Sequence, residues 1–195
     1  MKNLATMETE SSRTFLNSEE SLEKKYQVSR GLLYRRTNKV KDLVECVITD
    51  ETGRSIRLEK VHTEWHDFIE ERLDNDYIRI GILAPWGTGK TVNIALGFVL
   101  HLIQVNPNLR IKIVCNSDMN AEARVTTIQR YITQSEEYHF ATDNKVKTDR
   151  LEKCTAHEFF LARDSMSIDP SVQAKGINTG GTSGRADVLL YDDPL

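Results

Sequence analysis

Few cysteines, little net charge and no long apolar run mark this chain, and each shortage removes a class of protein. Cys46, Cys115 and Cys154 are the only three cysteines among 195 residues, lie far apart and form no C-x-x-C pair. An odd, scattered set argues against a disulfide framework or a cysteine zinc centre and points to reduced thiols in a cytoplasm. The formal charge of −3 does not mark a general nucleic-acid binder, although a local basic face is compatible with that sum. No apolar run approaches the roughly 20 residues that span a membrane, and residues 1–8 lack the apolar stretch of a signal peptide. What remains is ordinary for a soluble globular chain, with 39% hydrophobic and 28% charged residues in a length that suits one domain with an appendage.

The most informative stretch is Ala84-Pro85-Trp86-Gly87-Thr88-Gly89-Lys90-Thr91. It fits the phosphate-loop pattern G-x-x-x-x-G-K-[ST] with alanine for the first glycine, a change of one methyl group. Gly87 and Gly89 let the backbone turn so that successive N–H groups face one concave anion site at a helix N-terminus. Lys90 would reach the β- and γ-phosphates, and the Thr91 hydroxyl would take one position on Mg²⁺. The loop therefore predicts a bound nucleoside triphosphate with Mg²⁺. Its flanks agree: residues 77–83 read as a strand entering it, and residues 91–105 as an apolar helix leaving it. The bland alternative is a tight strand-to-helix turn with an exposed lysine.

Elsewhere the pattern is coarser. Residues 1–12 are polar and expected to be disordered, and a helix is expected to start near Ser18 and run through Tyr34. Its charge changes sign toward Arg30, Arg35, Arg36, Lys39 and Lys41, a cluster better explained as a solvated face than as a DNA contact. Residues 45–50 and 54–58 predict a short hairpin, and residues 62–75 a helix with Trp65, Phe68, Ile69 and Leu73 on one face. A strand over 109–115, a helix over about 120–134, a polar loop over 135–150 and strands over 158–162 and 171–177 follow. A glycine-rich turn over 176–184 lacks the G-K-[ST] ending of a second phosphate loop. The alternation predicts an α/β fold with a mostly parallel sheet flanked by helices, built from βαβ units. Residues 1–57 form a helical N-terminal appendage with the hairpin, and residues 58–195 the core.

The chain closes on Ala186-Asp187-Val188-Leu189-Leu190-Tyr191-Asp192-Asp193, an apolar strand ending in two carboxylates. This is the form of the second nucleotide motif, Walker B. Asp192 would hold Mg²⁺ through its water shell and Asp193 would polarise the attacking water. A plain turn after a core strand is the alternative. His62 and His66, one helical turn apart, lack both the protease glutamate position and a third ligand for zinc.

Taken together, Leu58 to Trp65, Leu83 to Thr91, Asp169 to Ile177 and Gly184 to Pro194 resemble the large subunit of tailed-bacteriophage terminase. That family is the ATPase that drives DNA into an empty capsid. The resemblance covers about residues 55–195. It implies a RecA-like P-loop core, Lys90 and Asp193 in catalysis, and residues 84–91 around the nucleotide, with His62 and Trp65 on the adenine side. It assigns Thr91 and Asp192 to the metal, and it implies double-stranded DNA, a portal protein and a small terminase subunit as partners. A homo-oligomeric ring on the portal, in the cytoplasm of an infected bacterium, is the implied setting. Three departures accompany it: Asp193 where many members have glutamate, Trp86 in a loop that often carries arginine, and no glutamine on the adenine side. The charge-stabilising arginine would then be Arg124 or Arg185, or come from a neighbour. Ending at Leu195, the chain holds neither the later ATPase motifs nor a nuclease domain, so it reads as an N-terminal part with weak or no turnover alone. Two other readings stand beside this one: a different P-loop translocase of helicase type, and a non-catalytic nucleotide-binding module.

Overall fold

Val40, Leu43, Val44 and Val47 recur at helical spacing, and that spacing decides the structure around them. The computed structural model describes residues 4–75, 79–143, 153–163, 167–179 and 184–193. A long helix α1 (Leu4–Thr37) turns at Asn38, which takes a left-handed φ of 54°, into α2 (Val40–Val47). The four α2 residues are buried, so residues 45–47 are helical and do not begin a hairpin. Of the expected hairpin only a single antiparallel bridge remains, between Thr49 and Ser55, and Asp50 closes it by accepting from the N–H groups of Thr52 and Arg54. Residues 4–12, expected to be disordered, are the first turns of α1.

Helix α3 (Lys60–Asp74) follows. Its Glu59 cap accepts from the third-residue N–H while His62 returns the bond to the Glu59 N–H. Its buried residues are His66 and Ile69, whereas Phe68 and Leu73 are 38% and 44% exposed. Of the expected Trp65, Phe68, Ile69 and Leu73 stripe, Ile69 is buried and Trp65 half-buried, and the inward face is turned toward His66, away from Phe68 and Leu73. A π-helical segment (Thr91–Phe98) leads into α4 (Val99–Val105), then come β1 (Ile111–Cys115), α5 (Asp118–Gln134) and α6 (Glu136–Thr142). Residues 144–150 of the expected 135–150 loop lie outside the described residues, but 136–142 are a helix. Ser135 caps it and the fully buried Tyr138 anchors it, donating to the Leu100 carbonyl at 3.2 Å.

The remaining strands are β2 (Lys153–Cys154), β3 (Glu158–Phe160), β4 (Val172–Gly176) and β5 (Val188–Tyr191), in sheet order β2-β3-β4-β1-β5. β4, β1 and β5 run parallel, and β2 and β3 join antiparallel, so the sheet is mixed. Register places Phe159, Val172, Ile111 and Val188 in one row and Ala174, Ile113 and Leu190 in another. Both rows face the helices: α5 lies on β4 and β1, the 91–105 helix packs on α5 and α2, and α1, α2 and α6 form the outer layer. The opposite face carries Lys112, Val114, Gln173, Lys175, Leu189 and Tyr191, of which Val114 is buried and Leu189 and Tyr191 are about half exposed. Among the described residues helices cover one face only, which is why β5 shows alternating half-burial where the sequence suggests a fully buried strand. One hydrophobic cluster runs from Tyr34 through Val172 and Ala174, so the 34–48 segment of the expected appendage shares the core of the sheet.

The strand expected over 77–83 is not formed across the described residues 79–83; residues 77 and 78 lie outside them. Ile80 and Ile82 still pack against the core while Leu83 is fully exposed, which is the alternation of an extended chain with one apolar side. What is missing is a partner. β5 bonds to β1, and no described strand flanks its other edge. No described helix is long and apolar enough to cross a membrane.

Two histidines are enclosed by this packing. His66 is fully buried, and burial pushes it from the ordinary 6.5 down to about 4; His101, bonded to Tyr34 Oη at 3.0 Å, is pushed to about 4 for the same reason. Both are neutral in the folded chain, so between pH 6.5 and 4 the unfolded chain binds more protons. Stability is therefore full above 6.5 and falls toward pH 4, by up to about 3 kcal/mol per histidine. Urea midpoints measured from pH 7 to 4.5 should drop, and His66→Leu should flatten the slope; a flat parent profile contradicts this.

Candidate functional site

The 84–91 loop joins the extended segment to the π-helical turns. Gly87 and Gly89 have φ of +78° and +75°, a region open to glycine and strained for other residues. At Gly89 a Cβ would also lie 3.2 Å from Asn93 Nδ2. The loop is braced from three sides. Thr88 Oγ1 donates to the Pro85 carbonyl at 2.7 Å, and the Asn93 backbone N–H and Nδ2 both donate to the Gly89 carbonyl, at 3.0 and 2.9 Å. His62 Nδ1 accepts from the Glu59 N–H at 3.1 Å, so its Nε2 carries the proton and donates to the Thr88 carbonyl at 3.0 Å. His62 thus meets the loop directly, and Trp65 stands edge-on to its ring at 5.3 Å. Trp86, at the loop tip, is 94% exposed. Ala84 and Pro85 contribute through their carbonyls: Lys90 Nζ lies 3.1 Å from each and donates to both.

The second acid pair arrives on β5. The Asp192 N–H donates to the Val114 carbonyl at 2.9 Å, extending the β5–β1 ladder one residue and fixing the side chain at the strand's C-terminal end. That carboxylate is buried. Both its oxygens lie 3.0 Å from Thr91 Oγ1, and Oδ2 also accepts from Arg124 Nε of α5 at 2.9 Å. Asp193 has a left-handed φ of 45°, which an aspartate tolerates, and its half-exposed carboxylate lies 3.9 Å from Lys90 Nζ. The structure therefore brings together Lys90, Thr91, Asp192, Asp193 and Arg124, two cations and two carboxylates with a hydroxyl among them. Burial and the neighbouring Asp192 carboxylate raise the Cys115 thiol above its ordinary range, so it is a packed and unreactive wall of the site.

Arg185 is not part of this cluster. It precedes β5 and lies at the opposite end of the sheet, where Arg110 donates to both oxygens of Asp187, at 2.9 and 2.6 Å, and lies 3.4 Å from Asp169. Asp118 makes a further structural tie, accepting from the Gly176 N–H at 2.7 Å and from Thr179 Oγ1, and these bonds hold its carboxyl below the usual range. So the Asp169, Gly176 and Asp187 positions of the recognised stretches act as ties between strand ends. Residues 180–183 of the glycine-rich turn lie outside the described residues.

His62, expected on the adenine side, makes a bracing contact that the sequence did not indicate, and so does Asn93: the His62 ring buttresses the loop through the Thr88 carbonyl, and Asn93 holds the Gly89 carbonyl. The signal was available in the Glu59/His62 spacing, which is that of a reciprocal N-terminal cap. No family model, curated protein or solved structure matches this chain.

Proposed function

We propose that the chain is a P-loop ATPase core of the terminase large-subunit type, binding ATP with Mg²⁺ at the junction of the 84–91 loop and the end of β5. The observation that supports this most directly is the contact between Thr91 and Asp192, 101 residues apart, at 3.0 Å. That bond ties the loop helix to the strand end, and it also sets a hydroxyl and a carboxylate side by side next to a lysine. A metal–phosphate site requires that pairing. The donors fit Mg²⁺: one hydroxyl and one carboxylate are hard oxygens, few enough to leave positions for phosphate and water. Thr91 and Asp192 would hold the ion, which supplies neutralisation of phosphate charge when bound.

The chain's own residues do the rest. The backbone between Gly87 and Thr91 offers N–H donors at a helix start, and Lys90, already aimed across the loop at the Ala84 and Pro85 carbonyls, exchanges those neutral acceptors for phosphate oxygens. Asp193, half exposed beside Lys90, would orient a water and accept its proton. Arg124 is the arginine nearest the acids and takes the charge-stabilising role; Trp65 and His62 flank the loop on its α3 side. Double-stranded DNA, a portal protein, a small terminase subunit and a ring of like chains are proposed as partners on the resemblance of residues 55–195. A non-catalytic nucleotide-binding module is the second reading, supported by Lys90 resting on loop carbonyls and by the unpaired 79–83 segment.

Binding of a fluorescent ATP analogue and phosphate release, measured together, test this. Lys90→Ala should weaken binding on the order of a hundredfold, the value of one or two charge-assisted hydrogen bonds. Asp193→Asn should bind as the parent does and lose turnover. Parent binding without turnover favours the module, and no binding by the parent refutes both readings.

A further inference from the structure

The Asp192 carboxylate is the most enclosed charge of the site, its side chain only 5% exposed, and it already has a cation. Arg124 Nε donates to its Oδ2 at 2.9 Å, while Thr91 Oγ1 occupies the other approach, 3.0 Å from both oxygens. A carboxylate this deeply buried needs a compensating positive charge at all times, because an uncompensated one is strongly disfavoured away from water. Arg124 is that charge. Its side chain is 26% exposed and reaches in from α5, an element separate from both the loop and β5, so it can withdraw without unpacking either. The contact runs through Nε and is not a two-pronged clamp of the kind that binds carboxylates most tightly. A second cation placed on Asp192 would sit within a few ångströms of the guanidinium, in surroundings where water screens poorly, and the two would repel.

We propose that Arg124 is the resident counter-cation of Asp192 and competes with the divalent cation for it, so that metal loading and release of the Arg124 guanidinium are one event. This rests on the reading of Thr91 and Asp192 as the metal side of a nucleotide site. It gives that site an order. The carboxylate stays neutralised while empty, and the guanidinium becomes available for phosphate charge only after its place has been taken. Arg124 is then a positioning residue first, and its removal has opposite effects on metal affinity and on turnover.

The test uses the 195-residue chain, the ADP analogue mant-ADP, and Mn²⁺ and Mg²⁺ as probes. Binding of mant-ADP in EDTA is measured first for the parent and for Lys90→Ala; absence of binding by the parent, or equal binding by both, is a failure of the nucleotide reading itself. With nucleotide bound, free Mn²⁺ is followed by its paramagnetic resonance signal. Arg124→Gln should lower the Mn²⁺ half-saturation about tenfold, the effect of removing one adjacent competing charge, while phosphate release from ATP, assayed separately with Mg²⁺, falls. Far-UV dichroism and melting check that the variant folds. The parent supplies a second, variant-independent readout: the Arg124 Nε–H resonance in an arginine-labelled sample should move as Mg²⁺ is added, with the midpoint of metal binding. Equal Mn²⁺ midpoints for parent and folded Arg124→Gln, or an Nε–H signal unchanged at saturating Mg²⁺, would overturn the proposal.

Discussion

Asp192→Ala is expected to remove the Mg²⁺ dependence of nucleotide binding, a loss on the order of a hundredfold in affinity at saturating Mg²⁺, and to destabilise the fold by roughly 2 kcal/mol. The two effects have different origins. Affinity falls because Thr91 is left as the only protein oxygen at the metal position. Stability falls because Asp192 joins three elements: its N–H bonds to Val114 of β1, its carboxylate holds Thr91 at the head of the π-helical segment, and Arg124 ties α5 to both. Alanine keeps the backbone bond and loses the other two. Arg124, partly exposed, recovers water, which is why the penalty is moderate and not that of a stranded buried charge. Asp192→Asn should retain most of the stability, since an amide oxygen still accepts from Thr91, and lose most of the metal effect. Melting curves with isothermal titration separate the two; equal losses of stability in Ala and Asn variants would contradict the assignment.

Gly97→Ala is expected to be the most destabilising single methyl in the chain, at roughly 3 kcal/mol, or a fall of about 6–12 °C in melting temperature. A Cβ at Gly97 would lie 2.3 Å from Val44 Cγ2 and 3.3 Å from the Val92 carbonyl. Val44 is fully buried in α2, so it has no open side to move into. The contact is the close approach of α2 to the π-helical segment, and it sets how deeply the helix that carries Thr91 sits in the core. Val44→Ala should relieve it: the double variant should be at least about 1 kcal/mol more stable than the sum of the single changes predicts. Additive effects would mean that the helices do not meet there.

Much of the site was legible in the sequence because its parts are local strings. The glycines and Lys90-Thr91 lie within eight residues, and Asp192-Asp193 ends an apolar run, so the strings that the fold brings together could be picked out along the chain. Arg124 could be named only as one of two arginines, since nothing along the chain distinguishes it from Arg185; the fold does, by setting them at opposite ends of the sheet. The errors are equally specific. In 40–48 the valines fit both a period of two and a helical period, and burial of Val40, Leu43, Val44 and Val47 against α1 and the π-helical segment decided for the helix. In α3 the expected apolar face leaves out the histidines, yet His66 is the most buried residue of the helix and Phe68 faces out. α6 was hidden in a polar stretch, with only the Ser135 cap, the acidic pair Glu136-Glu137 and Tyr138 to signal it. For 77–83 the expectation is a strand; the described residues 79–83 do alternate, but a strand is a property of two segments, and pairing is invisible in one.

Thr91 and Asp192 bond directly at 3.0 Å, and we propose that the pair forms the metal side of a nucleotide site. Isothermal titration of the parent chain with ATP, in EDTA and then in Mg²⁺, tests it most directly. The prediction is saturable one-to-one binding in both, tightened by at least about tenfold when Mg²⁺ is present. Binding that ignores Mg²⁺, or no binding in either buffer, would contradict it.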